Sequence, residues 1–416
     1  MTPSPARLPL RRNRRFALLV AARFVSILGN GFARVALAFA VLALSGSGPG
    51  RLSLVLACQA LPQLVFVLVG GVVADRTSRS RLMVLADVAG AAAYAGLAAM
   101  VLTGHAPLGA MCVLAVLTGT ATAMFAPAMD GVVPLVVPAD RLQEANGLLR
   151  VGSHGALLLG LALSGVTVAF VGAGWALALN AASFVVSAAL TGGLRLAGRP
   201  RGGSSGWTDL REGWTAFAGR QWLWAVVAQY TFVVAALNAT LGVLGPLVAE
   251  EEFGGARAWS VLVAAQALGM IAGAGASARL RVGRPVLVAV LATFPLAAPL
   301  ALLGAHAPLA VIAAAMFCAG VAGDVFAVLW STTVQREIPE DTLSRVSSYD
   351  LFGSLAFAPL GLLVAGPVAA AVGPGPALYG CAVLVVLATA GALLSPQVRG
   401  LRASGPQGQV AVAEAG

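Results

Sequence analysis

The chain has 416 residues, of which 59% are hydrophobic and only 10% charged, with a mean hydropathy of +0.90. So little charge cannot coat a soluble globule of this length, which leaves an integral membrane protein. The formal net charge of +10 comes from arginines sorted by loop as membrane topology demands, so nucleic acid is not an expected partner.

The apolar segments are about 20 residues long, as a helix rising ~1.5 Å per residue needs to cross a hydrocarbon core about 30 Å thick, so the spans are helices and not barrel strands. Residues 1–15 are a Pro- and Arg-rich tail. The apolar run behind it is longer than a signal peptide's core and lacks a small-residue cleavage site, so no cleaved leader is expected. Span 1 covers 16–44 and turns at SGSGPG. Span 2 starts near Leu52 and runs into the polar stretch GGVVADRTSRSR, Gly70 to Arg81. Span 3 covers 82–103, GHAP turns the chain, and span 4 continues to Phe125. A loop carrying Pro134, Pro138, Asp140 and Arg141 leads to span 5 at 142–171, and a Gly172-Ala173-Gly174 turn to span 6, ending near Leu194. Residues 195–220 are the longest polar stretch and read as a linker, with Trp207, Trp214 and Trp222 as interface residues. Spans 7 to 12 follow at 221–249, 258–278, 285–304, 308–334, 343–372 and 376–395, and 396–416 form a tail. The expected organisation is an N-tail (1–15), a six-helix half (16–194), a linker (195–220), a second half (221–395) and a C-tail (396–416).

There is no lysine, and of the 26 basic residues 21 fall in the N-tail, alternate loops and the C-tail. Only Arg51 and Arg257 fall in the other loops, and Arg23, Arg34 and Arg150 lie within spans. Positive charge gathers on the cytoplasmic side, so both termini are expected there, at the plasma (inner) membrane, with an even number of spans. Cys58, Cys112, Cys318 and Cys381 lie in apolar runs without the paired spacing of a metal site, so no metal is expected.

The halves repeat each other. At an offset of 201, His105-Ala106-Pro107-Leu108 meets His306-Ala307-Pro308-Leu309, Gly160 meets Gly361, and Pro138, Asp140 and Leu142 meet Pro339, Asp341 and Leu343. At 203, Gly70, Arg76 and Arg81 meet Gly273, Arg279 and Arg284, while Asp75 meets Ala278. The polar turn after span 2, with Gly71, Ala74, Asp75, Arg76, Arg79 and Leu82, resembles the signature loop between helices 2 and 3 of the major facilitator superfamily of transporters. Ser78 replaces a usual glycine and Ser80 a usual basic residue, with Arg81 adjacent. The resemblance covers all twelve spans. It implies an all-α integral membrane fold of two pseudo-symmetric six-helix halves, with a substrate site near the midplane between them.

The resemblance also implies roles for residues. Asp75 would latch helix 2 against the N-terminus of helix 11, with Gly71 allowing close approach and Arg76, Arg79 and Arg81 completing the network. Helices 1, 4, 7 and 10 would line the cavity, which nominates Asn30 and Arg34, Thr118 and Thr122, Gln229 and Asn238, and Asp324 with Trp330. Each of these polar residues serves equally well as one end of an interhelical hydrogen bond. The antiporter pattern of helix 5 keeps Gly160 and Gly165 but has Leu161 where a proline would stand. The loops at 134–146 and 335–345 look like those of the twelve-helix branch that includes macrolide and siderophore exporters.

Depth singles out two charges without help from the family. Arg34 lies about 15 Å from the expected outer end of span 1, near the midplane, where burying a charge costs roughly 2.5–3.5 kcal/mol on insertion scales, so it should face an interior cavity. Asp324 lies about 24 Å from the outer end of span 10, and its repeat partner is Ala123. The depths differ by about 9 Å, which does not favour a salt bridge between them. His154 and Arg150 are a proton relay or an interface pair. Asp87 and Asp350 fit helix-end electrostatics, His105 and His306 surface turns, and Glu250, Glu251 and Glu252 a solvated outer run.

No P-loop appears, so no nucleotide cofactor is expected and the energy source would be a proton gradient. The reading is a monomeric proton-coupled exporter of an amphiphilic small molecule, a drug or secondary metabolite, working by alternating access. The alternatives are an importer of a small solute and a transport-dead sensor or scaffold on the same fold. A membrane enzyme would need acidic or His clusters that the short loops lack.

Overall fold

The computed structural model describes residues 13–44, 48–76, 79–137, 142–194, 214–277, 280, 282–338 and 340–402. Within these, the side chains at 63, 66–76, 79, 126–128, 130, 131, 134, 135, 142–144, 146, 147, 150, 340–345 and 348 are outside the description. The linker expected at 195–220 is described from 214 onward.

The described residues are helical, with no strand among them. The first half holds α1 (Arg14–Leu42), α2 (Pro49–Arg76), α3 (Arg79–Thr103), α4 (Leu108–Val136), α5 (Leu142–Phe170) and α6 (Ala173–Gly192). The second half holds α7 (Gln221–Glu252), α8 (Ala256–Ser277), α9 (Pro285–Gly304), α10 (Leu309–Glu337), α11 (Glu340–Leu355 continued by Ala358–Val372) and α12 (Pro374–Leu393). A short α13 (Pro396–Gly400) follows. Among the described residues, 11 helices are long and apolar enough to cross a bilayer. The 28-residue α2 lies against α4 and α11 and makes the twelfth.

Local chemistry sets the ends and the breaks. The Asn13 side chain accepts hydrogen bonds from the Arg15 and Phe16 amides and caps α1 directly after the arginine tail. The apolar span of α4 ends at Phe125 as expected, but the helix itself runs on to Val136, where the sequence predicts a loop. Met129, Val132, Val133 and Val136 are all buried, and their spacing of three, four and seven residues keeps one apolar face turned inward. Three spans of the second half are interrupted near prolines. α7 widens into a π-turn at Thr240–Leu244 just before Pro246. α9 tightens into a 3-10 turn at Phe294–Leu296 around Pro295. α11 breaks between Leu355 and Ala358, four residues before and one before Pro359, whose missing N–H cannot bond the Leu355 carbonyl.

The halves meet where α2 packs on α11 and α5 on α8. Glycines make both contacts close. A Cβ at Gly165 of α5 would run into Ser260 and the Ala256 carbonyl of α8, and one at Gly366 of α11 would run into Ser53 and the Pro49 carbonyl of α2. Inside the halves, Gly160 of α5 lies on the Leu28 carbonyl of α1, and Gly361 of α11 lies on the Ala235 carbonyl of α7. Both pairs are 201 residues apart, so the repeat is a repeat of helix contacts.

The cores show which end of the bundle is closed. One continuous apolar core joins both halves at the end away from the arginine-rich turns, from Phe32–Val41 of α1 to Val243–Ala249 of α7, Trp259 of α8 and Leu362 of α11. At the arginine-rich end the halves keep separate cores. One is built on Phe16, Leu19, Met83, Phe125 and Val133, the other on Trp222, Val226, Val290, Phe326 and Trp330. Among the described residues no apolar cluster bridges the halves there.

Candidate functional site

Arg34 lies eight residues before the end of α1, about 12 Å in. It is open to solvent although protein surrounds it, which places it on a cavity and not against lipid. Asn30, one turn away, is half-buried. The polar group facing the Arg34 charge is Tyr94 of α3. Tyr94 is itself buried and stacked on Phe184 of α6, with ring centroids 5.7 Å apart. Its hydroxyl accepts a hydrogen bond from Gln59 Nε2 of α2 at 3.0 Å, and the same nitrogen donates to Thr118 Oγ1 of α4 at 3.1 Å. Asn180 of α6 lies within hydrogen-bond reach of the Tyr94 hydroxyl. Ser183 Oγ donates to the Asn180 carbonyl at 2.7 Å. Five helices of the first half therefore converge on one polar layer beside Arg34.

This layer changes the place of the α4 nominees. Thr118 is wholly buried, bonded to Gln59 and to the Ala115 carbonyl at 2.8 Å, so it fastens α4 to α2 instead of facing a cavity. Thr122 is half-buried and donates to the Thr118 carbonyl at 3.0 Å. Gln59, Tyr94 and Asn180 escaped the sequence reading because helices 2, 3 and 6 were not nominated. A signal was present, since Gln59 and Thr118 each lie ten residues in from the same end of the bundle, Tyr94 nine and Asn180 seven.

The second half handles its polar residues differently. Gln229 is buried and donates from Nε2 to Thr293 Oγ1 of α9 at 2.9 Å and to Thr389 Oγ1 of α12 at 3.3 Å, while the two threonine hydroxyls share a hydrogen bond of 2.9 Å. It ties three helices and does not line a cavity. Asn238 is half-buried and turns its amide onto the Val234 carbonyl at 2.9 Å. Trp330 is buried, donating from Nε1 to Asp350 Oδ2 at 3.0 Å. It packs edge-on against Trp222 at 5.5 Å and parallel to Phe326 at 6.3 Å, and Phe326 stacks on Tyr230 at 4.4 Å.

Asp324 is half-buried, fifteen residues into α10, about 22 Å from its start. A Cβ at Gly273 of α8 would come within 2.9 Å of the Asp324 Cβ, so the carboxylate stands beside the α8–α10 contact. Arg34 and Asp324 are not brought together, and no carboxylate bears on the Arg34 charge among the described residues. His154 is half-buried on α5, and the side chain of Arg150 lies outside the description. So do the surroundings of Gly71 and the side chains of Asp75, Arg76 and Arg79; Arg81 is exposed near the start of α3.

Two carboxylates depart from the expectation of helix-end groups. Asp87 is wholly buried in α3 and accepts from Ser187 Oγ of α6 at 2.7 Å. Asp350 holds Trp330 from a position five residues before the end of the first segment of α11. Arg257 of α8 lies over the Phe170 ring of α5, 4.9 Å from its centroid, which adds a cation–π contact between the halves. His306 Nδ1 stands 4.0 Å from Glu252 Oε1, both exposed, at the end away from the arginine-rich turns.

The profile of the Major Facilitator Superfamily matches residues 19–355. The chain is 28% identical to the "Multidrug efflux pump Tap" of Mycobacterium tuberculosis over 406 residues, covering 92% of this chain and 94% of that one. It is also 28% identical over 214 residues to the "Uncharacterized MFS-type transporter YkuC" of Bacillus subtilis, a match that spans 49% of each chain, about half that relative's length. Among solved structures, the nucleoside transporter NupG in a substituted form superposes with a TM-score of 0.77 at 13% identity, covering 91% of this chain and 99% of that one. A POT family transporter superposes with a TM-score of 0.72 at 12% identity, covering 92% and 96%. At these identities the solved structures establish the fold alone.

Proposed function

The chain belongs to the major facilitator superfamily and is a multi-pass membrane transporter, not an enzyme, and on that premise we propose that it exports an amphiphilic small molecule in exchange for protons. The observation that carries this reading is the likeness to the Tap efflux pumps along nearly the whole of both chains. The closure of the core at one end, and its division at the arginine-rich end, supports alternating access with the cavity open toward the arginine-rich face. That face is taken as cytoplasmic from the arginine asymmetry, with both termini there and the protein in the plasma membrane.

Asp324 is the proposed coupling carboxylate. It lies within α10 beside the α8–α10 contact, where protonation would remove an intramembrane charge. Asp75 is the proposed latch, and the packing of α2 along both segments of α11 supports it. The test is transport in sealed inverted vesicles. An imposed pH gradient, acid inside, should drive accumulation of at least one member of a panel of amphiphiles, and a proton-conducting ionophore should abolish it. Accumulation that ignores the gradient, or none across the panel, removes the reading. Asp75→Asn should insert normally yet turn over at least about tenfold more slowly; normal turnover would leave Asp75 a topology marker.

A further inference from the structure

Arg34 is a cation in the middle of a span, open to a cavity, and among the described residues no carboxylate answers it. A guanidinium inside a membrane is costly and is kept where it meets a partner or water. The neighbouring groups do not neutralise it. Tyr94 already accepts from Gln59, and Gln59 is shared with Thr118. Asn180, in reach of the Tyr94 hydroxyl, is a neutral amide, so the layer holds no negative charge to answer Arg34. Across the cavity the second half has turned its polar groups inward, Gln229 onto two threonines and Asn238 onto its own backbone. Asp324 lies on another helix at a depth differing by about 10 Å on the same rise per residue.

We propose that Arg34 binds an anionic group, a carboxylate or sulfonate, on the amphiphile that this protein transports, with Asn30 one turn toward the arginine-rich end on its path. The proposal rests on the exporter reading for its substrate and names the charge that substrate carries. The guanidinium offers a planar fork of donors that matches two oxygens of a carboxylate or sulfonate, and the low local dielectric strengthens the pairing.

The experiment uses full-length protein in nanodiscs of neutral phosphatidylcholine, so that no lipid headgroup supplies the anion. The probes are 8-anilinonaphthalene-1-sulfonate and the cation ethidium. Wild type should bind the sulfonate in preference to ethidium, Arg34→Gln should lower that preference by about tenfold or more, and Arg34→Lys should keep most of it. A second reading needs no variant: octanoate should displace the bound sulfonate and octylammonium of the same chain length should not. Equal displacement by the two, a preference unchanged in Arg34→Gln, or a wild-type preference for ethidium overturns the proposal. Displacement by phosphatidylglycerol but not by octanoate assigns the site to lipid and also overturns it. Arg34-dependent sulfonate binding without gradient-driven export would sustain the anion site and remove the exporter reading. Export of amphiphiles indifferent to Arg34 would do the reverse.

Discussion

The two halves share a helix plan and glycine contacts but spend their polar residues in opposite ways. The first half gathers Gln59, Tyr94, Thr118 and Asn180 into a layer that adjoins an open charge, Arg34. The second half closes Gln229, Thr293 and Thr389 into a buried knot and lays an aromatic chain, Tyr230 to Trp222, around Trp330. Backbone regularity divides the same way, since the π-turn of α7, the 3-10 turn of α9 and the break of α11 all belong to the second half. Among the described residues, the first half carries an open charge within a span on unbroken helices, whereas the second half has the joints at which helices can bend.

Variants can break that comparison at graded cost. The largest effect is expected from Gly366→Leu at the α2–α11 contact, where the Pro49 carbonyl and Ser53 leave no room. Overpacking costs roughly 1–3 kcal/mol, so folded yield in membranes should fall severalfold and transport with it; a normal yield would mean that the halves do not meet there. Next comes Asp324→Asn, which should keep substrate binding and downhill exchange but lose accumulation driven by a proton gradient. Full gradient-driven transport by that variant would move the coupling elsewhere, with His154 the next residue to test. The smallest effect is expected from Gln229→Leu. Interhelical hydrogen bonds in membranes average about 0.6 kcal/mol each, so losing two should lower thermal stability by roughly 1 kcal/mol and leave transport intact. A transport defect without a stability loss would put Gln229 on the substrate path after all.

Much of the fold was legible because membrane spans are written in hydropathy, and the 201-residue repeat was legible because glycines at helix crossings tolerate no side chain. Gly160 and Gly361 could be paired by subtraction, and Gly165 and Gly366 obey the same rule. Arg34 was legible through depth, since a charge so far from either surface has few places to go. The faces of the helices were not legible. Thr118 and Gln229 sit on helices of the expected cavity, but each turns toward a neighbour, and hydropathy that is apolar all round gives no inward direction. The Asp87–Ser187 bond joins residues 100 apart, a pairing that only the packing of α3 on α6 reveals. The extension of α4 was hidden by Pro134, which reads as a loop until the buried Met129, Val132, Val133 and Val136 are seen on one face.

On the proposed reading, a cavity between the halves opens toward the arginine-rich face and is shut at the other. Single cysteines at Asn30 and, as an orientation control, at Ser204 in the linker would be introduced after Cys58, Cys112, Cys318 and Cys381 are replaced. An impermeant thiol reagent would then be applied to inverted and right-side-out vesicles. Rapid labelling of both positions is expected in inverted vesicles, and protection of both in right-side-out vesicles until a transported substrate exposes residue 30 there. Labelling of residue 30 from the right-side-out face at rest, with the linker still protected, would contradict it.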